Sequence, residues 1–463
     1  MTDVKVSKGR APNNVHMQLG VSGLYRTGGY VHEEFVSALR WPRAYRVYQE
    51  MADNDPVVGA ILYMAEMLIR KADWSVEKAS EEPVDVEAAK FLDSCMHDMT
   101  VSWATTITEI LSMFTYGFSF HEIVYKIRRG PDEKDSRYQS LYSDNRIGWK
   151  RIPSRAQSTL YEWLFAPDND IKAFIQQAPP NYAIVPIPLS KGLLFRTRVA
   201  KDNPEGKSLL RNAYRPWYFK KHIEEIEGIG IERDLAGLPV LQAPEGMDIW
   251  NPDDATMVTF KNNAEELIKN IRRDSNEGVL LPHGWDLKLL STGSARQFDT
   301  NAIINRYDNR IAITMLSDLV LIGGEGKTGS FALADTKKSM LAAALEAQIQ
   351  NIADIFNKYA VPKLFAFNVF PGLTELPKIK PGEIETPTLK ELALLLRAMG
   401  LDISKDMELQ NYLRRVASMP ALNKKTFEEV YSVQEGKKKT SAGEDDDTAE
   451  NDFEQNDLNY TGQ

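Results

Sequence analysis

Apolar positions recur at helical spacing in several separate stretches of the chain. Asp55-Pro56 supplies an N-cap and a first-turn proline, and Val58, Ile61, Leu62, Ala65, Leu68 and Ile69 follow on one face. This predicts a helix to about Lys71, leading into a short strand at Trp74–Glu77. Trp103, Ile107, Ile110, Leu111 and Phe114 form a second helical pattern that stops at Gly117. Phe118 to Ile127 is aromatic and β-branched, as strands are. From 128 to 200, prolines and short apolar runs predict a small sheet with irregular loops.

Helical sequence returns near Gly206 and continues through Leu209, Leu210, Ala213, Trp217, Ile223 and Ile226, with a kink expected at Pro216 and an end at Gly228-Ile-Gly230. Residues 231 to 294 read as a compact α/β insertion. It has a strand to Leu241, a helix carrying Met257, Phe260, Ala264, Leu267, Ile268 and Ile271 on one face, and strands between Val279 and Leu290. Ala295 to Leu321 is again helical. A long amphipathic helix then places Leu341, Leu345, Ile349, Ile352, Phe356 and Tyr359 in one stripe. Thr388 and Glu391 form a capping box before a last helical segment that Gly400 closes.

The flanks read differently. Residues 1 to 40 are rich in Gly, Asn and Ser, an extended arm that orders against a neighbour. From 434 onward the composition is that of disorder. Eight of the 65 acids lie between Ser441 and Gln463, so 57 remain against 56 bases in the rest of the chain, although the net charge is -9. A near-neutral body argues against a protein that clings to duplex DNA through a basic face. The single cysteine, Cys95, excludes an intrachain disulfide and a cysteine-based zinc site. The opening MTDVKVSKGRAPNNV lacks the apolar core of a secretion signal, and the run Ile311 to Ile322 is too short and too polar to span a bilayer. Both point to a chain that stays in the cytoplasm where it is made.

Three motifs suggest chemistry, and each fails on its own terms. The octet Gly323-Gly324-Glu325-Gly326-Lys327-Thr328-Gly329-Ser330 has the glycines and lysine of a phosphate-binding loop, but Leu321 stands where the first glycine belongs. A nucleotide-binding enzyme using Lys327 is therefore the runner-up reading, and a flexible glycine loop the leading one. Gly117-Phe-Ser119-Phe-His121 lacks the final glycine of a hydrolase nucleophile elbow, which makes Ser119 structural. The six histidines have no ligand spacing, so no metal, cofactor or catalytic residue is expected. Tyr214-Arg-Pro-Trp-Tyr-Phe-Lys-Lys221 mixes rings and cations as single-strand binders do. On a helix, however, Tyr214, Trp217 and Tyr218 share a face, which favours a packed interface with the lysines and arginine solvated.

The order of these elements resembles the phage portal family, the head-to-tail connector of tailed phages, in its Mu-like branch. The resemblance is carried by Gly117-Phe-Ser-Phe-His-Glu122, by Gly206 through Trp217 to Val240, by Gly329-Ser330 leading into the long helix that ends near Asn368, and by Gly400 to Leu422. It implies an α+β, mainly helical fold assembled as a ring of about twelve subunits around a central tunnel. Carried onto this chain, it implies an N-terminal arm at 1–40, a wing at 41–205, stem helices at 206–230 and 295–321, and a clip at 231–294. A tunnel loop at 322–331 would follow, then a long wing helix at 332–370, a small crown at 371–433 and an acidic tail at 434–463. The octet from Gly323 to Ser330 would touch DNA, and Tyr214, Trp217, Tyr218, Ile223 and Ile226 would be intersubunit stem contacts. The partners implied are further copies of the chain, double-stranded DNA, the terminase large subunit, head-completion and tail adaptor proteins, and capsid and scaffolding proteins. The implied location is the virion, and the host cytoplasm during assembly. A capsid scaffold without a DNA path is the third reading.

Overall fold

The computed structural model describes residues 20–236, 238–270, 280–290, 299–315, 331–384, 407–416 and 419–420. The chain divides into two units, Met1–Ile384 and Glu385–Gln463. The expected octet loop, capping box and acidic tail lie outside the described residues.

The first unit opens with a short hairpin of β1 (Arg26–Thr27) and β2 (Tyr30–Val31). Residues 20–40 are thus not a free arm: Leu24 and Val31 drop into a core with Phe118, Phe120, Trp163 and Phe174, and the Trp163 amide donates to the Gly29 carbonyl at 3.0 Å. Two helices follow, α1 (Arg43–Asn54) and α2 (Pro56–Lys71). Asp55 caps α2 by accepting from the amides of Val57 and Val58, satisfying donors that a helix start otherwise leaves open. Then come β3 (Trp74–Glu77), α3 (Pro83–His97), α4 (Trp103–Ile110) and α5 (Ser112–Tyr116).

Gly117 ends α5 in the left-handed region at φ 93°, and a Cβ there would stand 2.5 Å from the Glu205 carbonyl oxygen. The chain turns into β4 (Phe118–Glu122) and β5 (Val124–Ile127). The remaining strands of this region are β6 (Ile147–Arg151), β7 (Ser154–Arg155), β8 (Leu160–Phe165), β9 (Ile171–Gln177), β10 (Ile184–Pro188) and β11 (Gly192–Arg196). They form small antiparallel sheets in the orders β11-β4-β7, β10-β9-β8 and β5-β6.

A 23-residue helix, α6 (Tyr214–Ala236), leaves this body. Pro216 sits in its first turn, where a missing N–H removes no helical bond, and the helix passes through Gly228 and Gly230 instead of ending there. Beyond it, β12 (Leu238–Gln242), α7 (Ala255–Asn270) and β13 (Asp286–Leu290) make a small α/β unit with β12 and β13 paired antiparallel. The chain returns along α8 (Thr300–Thr314), then α9 (Phe331–Ile355), a π-helical turn at Phe356–Ala360, α10 (Val361–Ala366) and β14 (Lys378–Pro381), which pairs with β3.

The main core packs α2, α3, α4 and β11 against α9 and α10, centred on Ile69, Leu92, Trp149, Phe195, Ile352 and Phe356. The π turn adds a residue to the helical period, so Ala360 and Leu364 continue the buried stripe while Tyr359 turns out to 45% exposure. A second core joins α1 and the start of α2 to Leu210, Ala213, Trp217 and Ile311. In the second unit, the described helix is Met407–Val416, after which the Met419 amide donates a hydrogen bond to the Arg414 carbonyl.

Candidate functional site

The helices α6 and α8 lie side by side. Phe219 stacks on Tyr307 with ring centroids 6.4 Å apart, Lys220 meets Asp308, and the Thr300 hydroxyl donates to Glu227, so the two run antiparallel. Together they make a two-helix arm between the body and the β12-α7-β13 unit.

The root of this arm is held by Lys220. Its side chain is only 4% exposed, and its ammonium lies 3.0 Å from Asp55 Oδ2 and 2.6 Å from Asp308 Oδ1, with Glu224 Oε1 at 3.9 Å. Burial alone would depress the lysine pKa, but the two aspartates outweigh it and the net shift is upward. Asp55 therefore caps α2 through one oxygen and receives Lys220 on the other, which ties α2, α6 and α8 at one point. The expectation that Lys220 is a solvated cation is corrected: its partners come from remote parts of the chain and take it out of water.

The aromatic face of α6 also divides. Trp217 is buried in the second core, within its own chain. Tyr214 and Ile223 are half-buried, whereas Tyr218 is 42% and Ile226 68% exposed. Ile229, which the sequence reading passed over, is 51% exposed. Tyr218, His222, Ile226 and Ile229 follow one another at helical spacing, so α6 presents an apolar stripe to its surroundings. His222 contributes by standing edge-on to Tyr218, with centroids 4.4 Å apart, and by pairing with Glu225.

The outward side of α8 is different in kind. Asn305, Arg306, Asn309 and Arg310 are all exposed, and the guanidiniums of Arg306 and Arg310 lie 5.3 and 5.7 Å from the Tyr307 ring centroid. Among the described residues, neither arginine is ion-paired.

The motif at Ser119 is closed to chemistry. Ser119 and His121 are both fully buried, with Oγ 2.8 Å from Nε2 and Nδ1 3.0 Å from the Ile152 carbonyl. Since Nδ1–H must donate to that carbonyl, Nε2 accepts from the serine, and desolvation holds the imidazole neutral with its pKa lowered to about 4. No substrate reaches this pair, and it joins β4 to the loop before β7. Cys95 is also buried, and burial pushes its thiol up to about 11.

A cleft of about 380 Å³ lies where the β1-β2 hairpin, α1 and the segment before α6 meet, with Glu34, Tyr48, Arg198, Glu205 and Arg211 in its lining. Four of its charged side chains pair with one another, Arg211 with Glu34 and Lys201 with Glu33. Desolvation pushes Glu205 up to about 8. Among the described residues, no group of three or more His, Cys, Asp or Glu could hold a metal ion, and no helix is long and apolar enough to cross a membrane.

Comparison with known proteins adds the following. Residues 45–412 match the family described as the portal protein of Mu bacteriophage. Among solved structures, the chain is similar to one in the neck of a native GTA particle computed with C12 symmetry, at 12% identity and TM-score 0.49, covering 82% of this chain and 95% of that one. It is also similar to a chain in the virion of a native gene transfer agent particle, again at 12% identity and TM-score 0.49, covering 82% and 94%. An HK97 family phage portal protein from Corynebacterium diphtheriae is similar at 13% identity and TM-score 0.39, covering 73% and 93%.

Proposed function

The chain belongs to the family of the portal protein of Mu bacteriophage, and from that membership we propose that it assembles into a ring of about twelve subunits that serves as the DNA conduit of a phage head. A portal is a structural part of the virion and catalyses nothing itself. In this reading α6 and α8 are the stem, the β12-α7-β13 unit is the clip that meets the packaging motor and later the tail adaptor, and the body around β4 is the wing. Residues 371–433 are the crown region, entered through β14, which stays paired with β3 of the body. The terminase large subunit, head-completion and tail adaptor proteins, and capsid and scaffolding proteins are its partners during assembly or in the virion.

The observation that carries this reading is the apolar stripe of α6. Tyr218, Ile226 and Ile229 stand out from a two-helix arm and remain exposed in the single chain. A neighbouring copy that packs its own stem alongside would cover them, and repetition of one such head-to-tail contact closes a ring. Sedimentation of the purified protein tests this: one species of ring mass supports it, and monomer at every salt concentration contradicts it.

Lys327 belongs to the same proposal. In a ring, the loop from Gly323 to Ser330 repeats one lysine per subunit, which makes a belt of positive charge facing the passing phosphates. Glu325 beside it moderates the attraction, so the grip is weak and independent of base sequence. Lys327→Glu is expected to leave ring assembly intact and to reduce the DNA retained in particles.

A further inference from the structure

The stem has two exposed faces of opposite character. On α6, Tyr218, His222, Ile226 and Ile229 form the apolar stripe, and the acids near it are engaged: Glu224 with Lys220, Glu225 with His222, and Glu227 with the Thr300 hydroxyl. On α8, Asn305, Arg306, Asn309 and Arg310 form a surface of guanidiniums and amides. Asp308 turns inward to Lys220, and Asp299 caps the helix by accepting from the Ala302 amide at 3.0 Å; among the described residues neither arginine is ion-paired with either acid. A third exposed arginine, Arg215 of α6, flanks the same side, with its guanidinium 5.9 Å from the Phe219 ring centroid.

We infer that this outward face of α8, centred on Arg306 and Arg310, is the side of the stem that contacts the phosphate backbone of duplex DNA. The inference rests on the portal reading and names the part of the stem that the DNA meets. Guanidinium is the side chain best matched to phosphate oxygens, and neighbouring amides add donors without adding acid. Arg306 and Arg310 are one turn apart, about 6 Å along the helix axis at 1.5 Å per residue. Each subunit therefore offers cations at two levels, and a ring of subunits turns them into two adjacent belts. The shared Tyr307 ring steadies both guanidiniums.

A neighbouring stem is the competing occupant, and charge argues against it. Glu224, Glu225 and Glu227, the acids beside that stem's apolar stripe, already have partners, whereas the stripe needs cover; an apolar surface gains nothing by meeting two unpaired arginines. Water and a polyanion suit the α8 face, and a second copy of α6 suits the stripe. Two belts without base readout also agree with a near-neutral body, since a conduit must release each phosphate as the next arrives.

The test is site-specific photocrosslinking in DNA-filled particles, with a benzophenone amino acid in place of Arg306 in one preparation and of Ile226 in another. The expected result is DNA-linked portal from position 306 and portal–portal adducts without DNA from position 226. Portal–portal adducts from 306 in place of DNA, or no DNA adduct from 306, would overturn the inference. A variant without the bulky probe guards against failed folding: Arg306→Gln with Arg310→Gln is expected to keep the ring seen by electron microscopy and lose part of the packaged DNA. Full DNA retention in that double variant would also overturn it. Failure of the wild-type protein to form rings would be a separate result, and would count against the portal reading itself.

Discussion

Lys220 and Asp308 meet between α6 and α8 with Nζ 2.6 Å from Oδ1, and this ion pair joins the outgoing helix to the returning one at the point where both leave the body. Because Asp55 shares the same ammonium, removing Lys220 leaves two carboxylates facing each other with little water to screen them. Lys220→Met is expected to destabilise the chain by about 3 kcal/mol, the range for breaking a buried pair. Lys221→Met, which removes an ion pair to Glu50 nearer the surface, should cost less than about 1 kcal/mol. Thermal or denaturant melts of the two variants compare them directly.

A second expectation concerns acid. His121 is neutral and its folded pKa, about 4, lies below its ordinary value of 6.5. The unfolded chain therefore binds a proton between those values that the folded chain refuses, so the stabilisation is complete above pH 6.5 and is lost as the pH falls toward 4. Denaturant titrations of the wild type and of His121→Gln should differ by that slope between pH 4 and 6.5, the wild type gaining stability relative to the variant as the pH rises.

Glu205 runs the other way. Its carboxyl is raised from 4.5 to about 8, so the folded chain holds a proton that the unfolded one has released. Its contribution is present below pH 4.5 and lost as the pH rises through 8. Glu205→Gln, which fixes the neutral form, should gain stability relative to the wild type as the pH rises from 4.5 to 8, measured by the same titrations.

Gly117 tests the turn between α5 and β4. Its φ is 93°, and the Glu205 carbonyl occupies the place of a side chain. Gly117→Ala is expected to cost more than about 2 kcal/mol, since the left-handed backbone and the close approach both count against a Cβ. A drop in melting temperature measures it.

Much of this architecture is legible in the sequence where the signals are local. Asp55-Pro56 marks the start of α2, Gly117 marks the end of α5, and Trp74–Glu77 reads as a strand from its own composition. What escapes is set by distance along the chain. Lys220 reads as a solvated cation because Asp55 and Asp308 are far from it in sequence, and the partner of β3 is β14, some 300 residues on. Tyr214, Trp217 and Tyr218 share a helical face by spacing, but only tertiary packing sends Trp217 inward and leaves Tyr218 exposed. The helix α3 starts with Pro83 at a first-turn position and buries Ala88, Phe91, Leu92 and Cys95, a pattern that was available and was not read. The shift of Tyr359 off the long stripe depends on a π turn, which hydrophobic spacing does not announce.

The stripe on α6 carries the assembly claim and can be tested alone. Ile226 and Ile229 are exposed, so Ile226→Glu with Ile229→Glu should change the stability of the single chain by only about 0.5 kcal/mol, as surface substitutions do. The same pair should abolish higher assembly, seen by native mass spectrometry as monomer from the variant and multimer from the wild type.

Electron microscopy of the purified wild-type protein tests the central claim most directly. A DNA conduit requires a closed ring with a hole wide enough for a duplex, so the account predicts end-on views of rings with a stain-filled centre. Monomers, solid particles or open chains, with no central hole in any view, would contradict it.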